Sequence, residues 1–393
     1  MLFSICRRRA SFPISVPKAF SNSGFLFEAG GFIISAGKDS AAMGYFRDCI
    51  EQMEGYTPGF QPKAADVVKL NTNENPYPPS PRVLEVLRRF PPERLRRYPE
   101  PLGDTFRAAA SSVLGISPEN ILCTNGGDEL LAVCTRAFCD ARRPMAYPQP
   151  TYSLYPVLAK IQGCPAVEIP REGDWLGELA CINAPLTIVC NPNAPTSDFV
   201  PVEQLDRLAS ALSGVLLIDE AYADFAPDNA LRLVAKHDNV IVLRSFSKGY
   251  SLAGLRFGFG VAQPAMIEGL IKVKDSYNVD AVAAAAAAAA ITDQPYFRAN
   301  VERIVQERTR LTESLRLLGF EVPDSQTNFV LARCLNGSAE GIYKALVEKN
   351  IYVRYFPLPG LYDKLRITVG TPEQNKILVT ALREILSQKG KPV

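Results

Sequence analysis

The chain has 393 residues, 47% of them hydrophobic, and 43 lysines and arginines against 41 acidic residues leave a formal charge of +2, enough apolar material for a large and a small lobe. Its longest apolar stretch, Phe25 to Ala36, is broken by Glu28 and glycines, and no long basic block occurs, so neither a membrane nor nucleic acid is an expected partner. His237 is the only histidine, which excludes a histidine-built metal site, and nine cysteines scattered without a C-x-x-C pair suit reduced thiols in the cytoplasm.

In chain order, residues 1–42 set Arg7, Arg8, Arg9, Lys18 and Lys38 against Glu28 and Asp39. Such a basic, serine-bearing, acid-poor leader resembles an organelle transit peptide, but Met43-Gly44-Tyr45-Phe46-Arg47 is a competing start. The preferred expectation is a disordered leader or a start at Met43. Further on, Ile121-Leu122-Cys123-Thr124-Asn125-Gly126-Gly127-Asp128 is an apolar strand that turns through two glycines into a helix. Helix amino termini carry unpaired N–H groups, so Gly126, Gly127 and Asp128 offer an anion site, the alternative being an ordinary capped helix.

Strands are expected at Ala166 to Ile169, Leu186 to Cys190, Val215 to Asp219, Val240 to Leu243 and Phe257 to Val261, alternating with helical stretches. That alternation predicts an α/β fold with a mostly parallel sheet. Asp219 then lies at the carboxyl end of a buried strand, where ligands bind in open α/β sheets. The alanine run Ala283 to Ala290 predicts a long helix leaving the large lobe, and a smaller α/β lobe follows Pro323.

The segment Ser245-Phe246-Ser247-Lys248-Gly249-Tyr250-Ser251-Leu252-Ala253-Gly254-Leu255-Arg256 carries the chemistry. It sets one lysine among phosphate-binding groups: Ser245 and Ser247 donate single hydrogen bonds, and the planar guanidinium of Arg256 grips two phosphate oxygens. An amine becomes a catalytic handle by condensing with a carbonyl cofactor, and pyridoxal phosphate also needs an anion site beside that amine. Asp219 is suited to hold a proton on a cofactor ring nitrogen. Near the carboxyl end, Leu365-Arg366-Ile367-Thr368 alternates in a way that buries an arginine unless it meets an anion.

These segments resemble the fold-type I pyridoxal-phosphate aminotransferases. Tyr56-Thr57-Pro58-Gly59, Asn71-Thr72-Asn73-Glu74-Asn75-Pro76 and Arg97-Tyr98-Pro99-Glu100 narrow the resemblance to the histidinol-phosphate aminotransferase family, from about residue 43 to the end. The resemblance implies Lys248 as the cofactor-bearing base, Tyr152 stacked on the pyridine ring and Tyr222 on its phenolic oxygen. It also implies Tyr98 reaching the partner's cofactor phosphate in a homodimer with shared sites. Arg366 becomes the carboxylate clamp and Arg354, assisted by Tyr56, a substrate-phosphate ligand, with Asn75 and Asn328 near the substrate. The implied layout is an arm over 43–76, a large cofactor-binding domain over 77–280, and a linking helix with a small domain over 281–393.

The turn Cys190-Asn191-Pro192-Asn193-Ala194-Pro195-Thr196-Ser197 departs from that family at two places. Ala194 stands where an asparagine usually donates to the cofactor's phenolic oxygen, and Tyr222 is expected to carry that interaction with help from Asn193, ahead of Asn191. Ser197 stands where glycine is usual, in a conformation costly for other residues. The implied reaction is ping-pong transfer from glutamate to imidazole acetol phosphate. Aromatic amino-acid transfer, decarboxylation of threonine phosphate, and a pyridoxal-sensing regulator are the alternatives, the last disfavoured because no helix-turn-helix pattern precedes the matched region.

Overall fold

Three sheets organise the described residues, 44–62, 66–335 and 337–389, of this computed structural model. The leader and the Met43 start lie outside the described residues. The chain divides after Gln52, and the described part before that point holds one short helix, Asp48–Glu51. The strands that follow are β1 (Val68–Lys69), β2 (Ile121–Thr124), β3 (Met145–Gln149), β4 (Ala166–Pro170), β5 (Leu186–Cys190), β6 (Val215–Asp219), β7 (Val240–Ser245), β8 (Gly258–Val261), β9 (Phe320–Glu321), β10 (Phe329–Cys334), β11 (Ile351–Tyr352), β12 (Arg354–Tyr355) and β13 (Lys364–Thr368).

The central sheet has the order β2-β8-β7-β6-β5-β3-β4, parallel except at β8, which runs antiparallel to both neighbours. Its strands are buried on two sides. Along β6, Val215 and Leu217 join one apolar cluster with the helices Gly127–Phe138 and Leu154–Gln162. Leu216 and Ile218 join another, with Asp104–Leu114 and Val202–Ala211. That alternation makes a three-layer α/β/α body, as the sequence predicts. β3 was not among the predicted strands because Pro148 breaks its pattern. Its pairing with β5 stops at Ala146, two residues before the proline, which has no N–H to give the ladder.

The alanine run lies in a helix of only 12 residues, Ala281–Thr292, capped by the Asp280 carboxylate on the Val282 and Ala283 amides. The long helix is the next one, Gln294–Leu317, 24 residues with a proline in its first turn. Small side chains suit the short helix, because Ala283, Ala286, Ala287 and Ala290 are all buried in the cluster that also holds Val83 and Phe106.

A third apolar cluster underlies the antiparallel sheet β12-β13-β10-β9, with Ile304, Leu311, Ile342, Leu378 and Leu382 from its covering helices. The segment 70–75 bridges the two sheets. β1 pairs with β11, the Leu70 carbonyl accepts from the Thr368 amide, and Asn75 Nδ2 donates to the Lys248 carbonyl at 3.0 Å. No helix among the described residues is long and apolar enough to cross a membrane.

Candidate active site

β5, β6 and β7 end side by side, and the site is built on their carboxyl ends. Asp219 closes β6 opposite Cys190 of β5 and is almost completely buried. The Tyr155 hydroxyl donates to its Oδ2 at 2.7 Å and the Ala221 amide to its Oδ1 at 3.1 Å. Burial pushes the carboxyl up to about 6 against those two donors, which favour the anion. The carboxylate is therefore ionised at neutral pH and placed to hold a cation beside it.

Lys248 follows β7 in the turn that the sequence marked. Its Nζ donates to the Thr72 carbonyl at 3.3 Å and lies 5.7 Å from the centre of the Tyr222 ring. Burial, followed by the positive charge of Arg366, pulls the ammonium down to about 8. A usable fraction is thus free amine near neutral pH, as a nucleophile and proton acceptor require. Tyr222 is itself buried, edge-on to Phe329 at 5.2 Å, and burial raises its hydroxyl to about 12, so it stays protonated.

The anion cradle lies at the start of Gly127–Phe138. Gly126 adopts φ +78° and, as the N-cap residue, offers the first helical amides no side-chain acceptor, while the Glu129 carboxylate accepts from the Asn125 amide just outside. The helix's first amides remain available, with the helix dipole behind them. A Cβ on Gly126 would come within 2.7 Å of Arg256 Nη2, so the glycine leaves room for the guanidinium. Arg256 Nη1 donates to Ser247 Oγ at 3.3 Å, Ser245 Oγ accepts from the Ser247 amide at 3.2 Å, and Arg256 Nη2 is 3.6 Å from Asp128 Oδ2. The Tyr152 hydroxyl donates to Asp128 Oδ1 at 3.2 Å, and its ring lies 5.7 Å from Tyr155 and 6.1 Å from Tyr56. A ring between Tyr152 and Asp219 with a phosphate at Gly126–Asp128 fits these groups.

On the other side, Arg354 of β12 pairs in register with Arg366 of β13. Like charges directly opposite on adjacent strands repel, and together they favour an anion. Arg366 Nη2 donates to the Asn71 carbonyl at 2.9 Å, while its Nε is buried and unpartnered among the described residues. Phe356 lies beneath both guanidiniums, at 5.1 Å from Arg354 and 5.4 Å from Arg366. Asn328 is fully buried, its Nδ2 donating to the Asn73 carbonyl at 2.9 Å and its Oδ1 left without a partner among the described residues.

Residues 65–382 match the model of the aminotransferase class I and II family. Histidinol-phosphate aminotransferase 1 of Trichormus variabilis is 52% identical over 87% of this chain and 99% of its own length. The enzyme of that name from Rippkaea orientalis is 42% identical over 86% and 98%. The chain belongs to the histidinol-phosphate aminotransferases of the class I and II family. A solved member from Sinorhizobium meliloti, in complex with pyridoxal-5'-phosphate, superposes with a TM-score of 0.82 at 27% identity, covering 89% of this aminotransferase and 100% of that chain.

Hydrogen bonds within this aminotransferase commit Asn193 and Asn75 to their own turns. Asn193 does not reach Tyr222: its Nδ2 donates to the Pro150 carbonyl at 2.9 Å and to Thr196 Oγ1 at 2.6 Å, and its Oδ1 accepts from Thr151 at 2.8 Å. Asn191 is equally committed, exchanging hydrogen bonds with the backbone of Val200. Asn75 braces the lysine turn, because its amide donates to the Lys248 and Gly249 carbonyls and accepts from the Tyr77 amide. Tyr98 stands apart from these contacts, 81% exposed and stacked on Tyr277 at 4.5 Å.

The sequence reading missed Asn73, Tyr155 and Arg171. Asn73 lay within the quoted Asn71-to-Pro76 segment, where three asparagines compete and nothing in the pattern ranks them. Tyr155, in an apolar helix, carried no signal at all. Arg171 donates through Nε to Asp198 Oδ2 at 3.1 Å and packs on Trp175 at 4.4 Å, holding the far end of the 190–198 turn.

Proposed function

We propose that this chain is a pyridoxal-5'-phosphate-dependent aminotransferase that moves the amino group of glutamate to imidazole acetol phosphate, giving 2-oxoglutarate and histidinol phosphate. The single observation that carries the reading is a partly buried lysine set close to the buried Asp219 carboxylate and to a facing pair of arginines. The relatives it resembles over most of its length name the substrate.

Pyridoxal phosphate supplies the electron sink that makes the amino acid's α-proton removable. Lys248 would tether the cofactor and, when free, hold or release a proton at Nζ. Asp219 would hold a proton on the ring nitrogen, with Tyr155 keeping Asp219 ionised. Tyr222 would serve as donor to the phenolic oxygen, and Tyr152 as the ring's aromatic neighbour. Gly126, Gly127 and Asp128 would hold the phosphate through backbone amides, with Ser245, Ser247 and Arg256 as side-chain donors.

Arg366 clamps the α-carboxylate of glutamate, and Arg354 with Tyr56 receives the phosphate of the second substrate, their shared position explaining how one pocket serves two anions in turn. Asn328 offers its unpartnered Oδ1 to a substrate donor. Residues 77–280 form the cofactor side and 281–393 the substrate side. Tyr98, exposed on one chain, completes the neighbouring site in a homodimer.

A visible spectrum of the purified, cofactor-loaded protein tests the reading. Glutamate should bleach the absorption and imidazole acetol phosphate restore it. Recovery only with phenylpyruvate would reassign the enzyme to aromatic amino acids, and carbon dioxide from phosphothreonine without amino transfer would make it a decarboxylase.

A further inference from the structure

The family's usual phenolic-oxygen donor is missing at Ala194, which packs in a small buried cluster with Tyr222 and Phe329. No side-chain amide of the 190–197 turn is free to replace it. The polar group nearest to hand comes from the arm: Asn73 Nδ2 lies 2.9 Å from the Tyr222 hydroxyl, and the residue is 1% exposed.

The direction of that bond follows from its neighbours. The Asn73 amide N–H donates to Thr368 Oγ1 at 3.0 Å, so that oxygen accepts there, and its single proton is directed to Asn73 Oδ1 at 3.1 Å. Oδ1 is therefore the acceptor end of the Asn73 amide, and Nδ2 faces Tyr222 as a donor. The Tyr222 oxygen accepts, which leaves its own proton for another acceptor. The Asn73 backbone is held at φ +56°, tolerable for asparagine, while its carbonyl receives Asn328 Nδ2 at 2.9 Å. The chain from Thr368 through Asn73 to Tyr222 is buried throughout and has one consistent polarity.

We propose that Asn73 is a positioning residue that replaces the missing asparagine at 194 by acting through Tyr222, committing the tyrosine proton to the phenolic oxygen of the bound cofactor. The inference rests on the aminotransferase reading. A donor fixed on the phenolic oxygen stabilises its anionic form and lowers the pH at which the lysine–cofactor linkage loses its proton. Freed from Asn73, the Tyr222 hydroxyl rotates and donates less well, and that pH rises. Hydrogen bonds to charged groups contribute on the order of 1.5–3 kcal/mol, and losing part of one corresponds to roughly one pH unit, or about tenfold in proton affinity.

The test is a pH titration of the visible absorption of the loaded holoenzyme. Asn73→Gly suits the left-handed backbone and removes the amide without adding charge; Thr368→Val removes the hydroxyl that orients the amide. Both should raise the titration midpoint, the first by about one unit. Adding Ala194→Asn to Asn73→Gly should bring the midpoint back, which a loss of stability alone would not allow. In a Tyr222→Phe background, Asn73→Gly should shift nothing further. An unmoved midpoint in both single variants, or an equal shift without the Tyr222 hydroxyl, overturns the proposal. Failure of the wild-type protein to take up pyridoxal phosphate would instead overturn the aminotransferase reading.

Discussion

Two glycines of β8 pose the same steric problem on paper and should behave differently. A Cβ added at Gly258 would meet the Gly126 carbonyl carbon and the Gly127 nitrogen at 2.8 Å each, with the Arg244 carbonyl oxygen at 3.0 Å. A Cβ at Gly260 would also find its nearest atom at 2.8 Å, but that atom is the Leu130 Cδ2 at the end of a side chain. Relief at 260 needs a rotamer change; relief at 258 needs the start of the cradle helix to move by about half an ångström. Gly258→Ala should thus cost about 2–3 kcal/mol of stability, the upper part of the overpacking range, and Gly260→Ala about 1 kcal/mol. Because the displaced backbone belongs to the phosphate cradle, Gly258→Ala should also weaken loading with pyridoxal phosphate by at least about tenfold, the worth of one good hydrogen bond to a charged group. Urea unfolding of the apo-protein and a fluorescence titration with the cofactor read the two effects. Equal stability losses at the two positions, or unchanged cofactor affinity in Gly258→Ala, would refute the argument.

Ser197 is buried at φ +65° with its hydroxyl unpartnered among the described residues. Ser197→Gly should stabilise the protein by about 0.5–1 kcal/mol, as relief of a left-handed backbone exceeds the added chain entropy, measurable as a higher thermal midpoint. The Lys248 amine, pulled down to about 8, should make the rate of cofactor attachment to the apo-protein rise with pH and level off above that value, where the free amine predominates. A midpoint near the ordinary lysine value of 10.5 would show that burial does not act as described. Removing the Tyr155 donor should raise Asp219 above about 6, so that in Tyr155→Phe the acid-side loss of cofactor affinity begins at higher pH than in the wild type.

Segments that bring several chemical requirements into a few consecutive residues were legible in the sequence. The lysine turn and the β6 end are of that kind: short apolar strands lead directly into them, and strand direction decides where Asp219 and Lys248 emerge. Residues whose roles depend on distant pairing were not. Asn73 meets Tyr222 across 149 positions and Thr368 across 295, and only the folded arm brings them together. Asn193 shows the same dependence: its chemistry suits an oxygen ligand, and the folded turn's own carbonyl and hydroxyls take up its amide. β3 was hidden because Pro148 is tolerated on one side of a strand whose ladder runs on the other.

In the proposed reaction, the placement of Arg366 close enough to depress Lys248 would also link substrate binding to the lysine's basicity. Without an anion at Arg366, the arginine charge joins burial in favouring the free amine. A carboxylate paired with Arg366 would compensate that charge and remove its depressing effect on Lys248. Lys248 would then be more basic at the proposed step in which it takes the α-proton. The facing arginine strengthens the same response, since Arg354 adds positive charge at Arg366 and makes an anion there more welcome. One cationic pair thereby serves recognition and sets the amine to two different proton affinities at two stages of one cycle, an economy that depends on β12 and β13 holding the guanidiniums side by side.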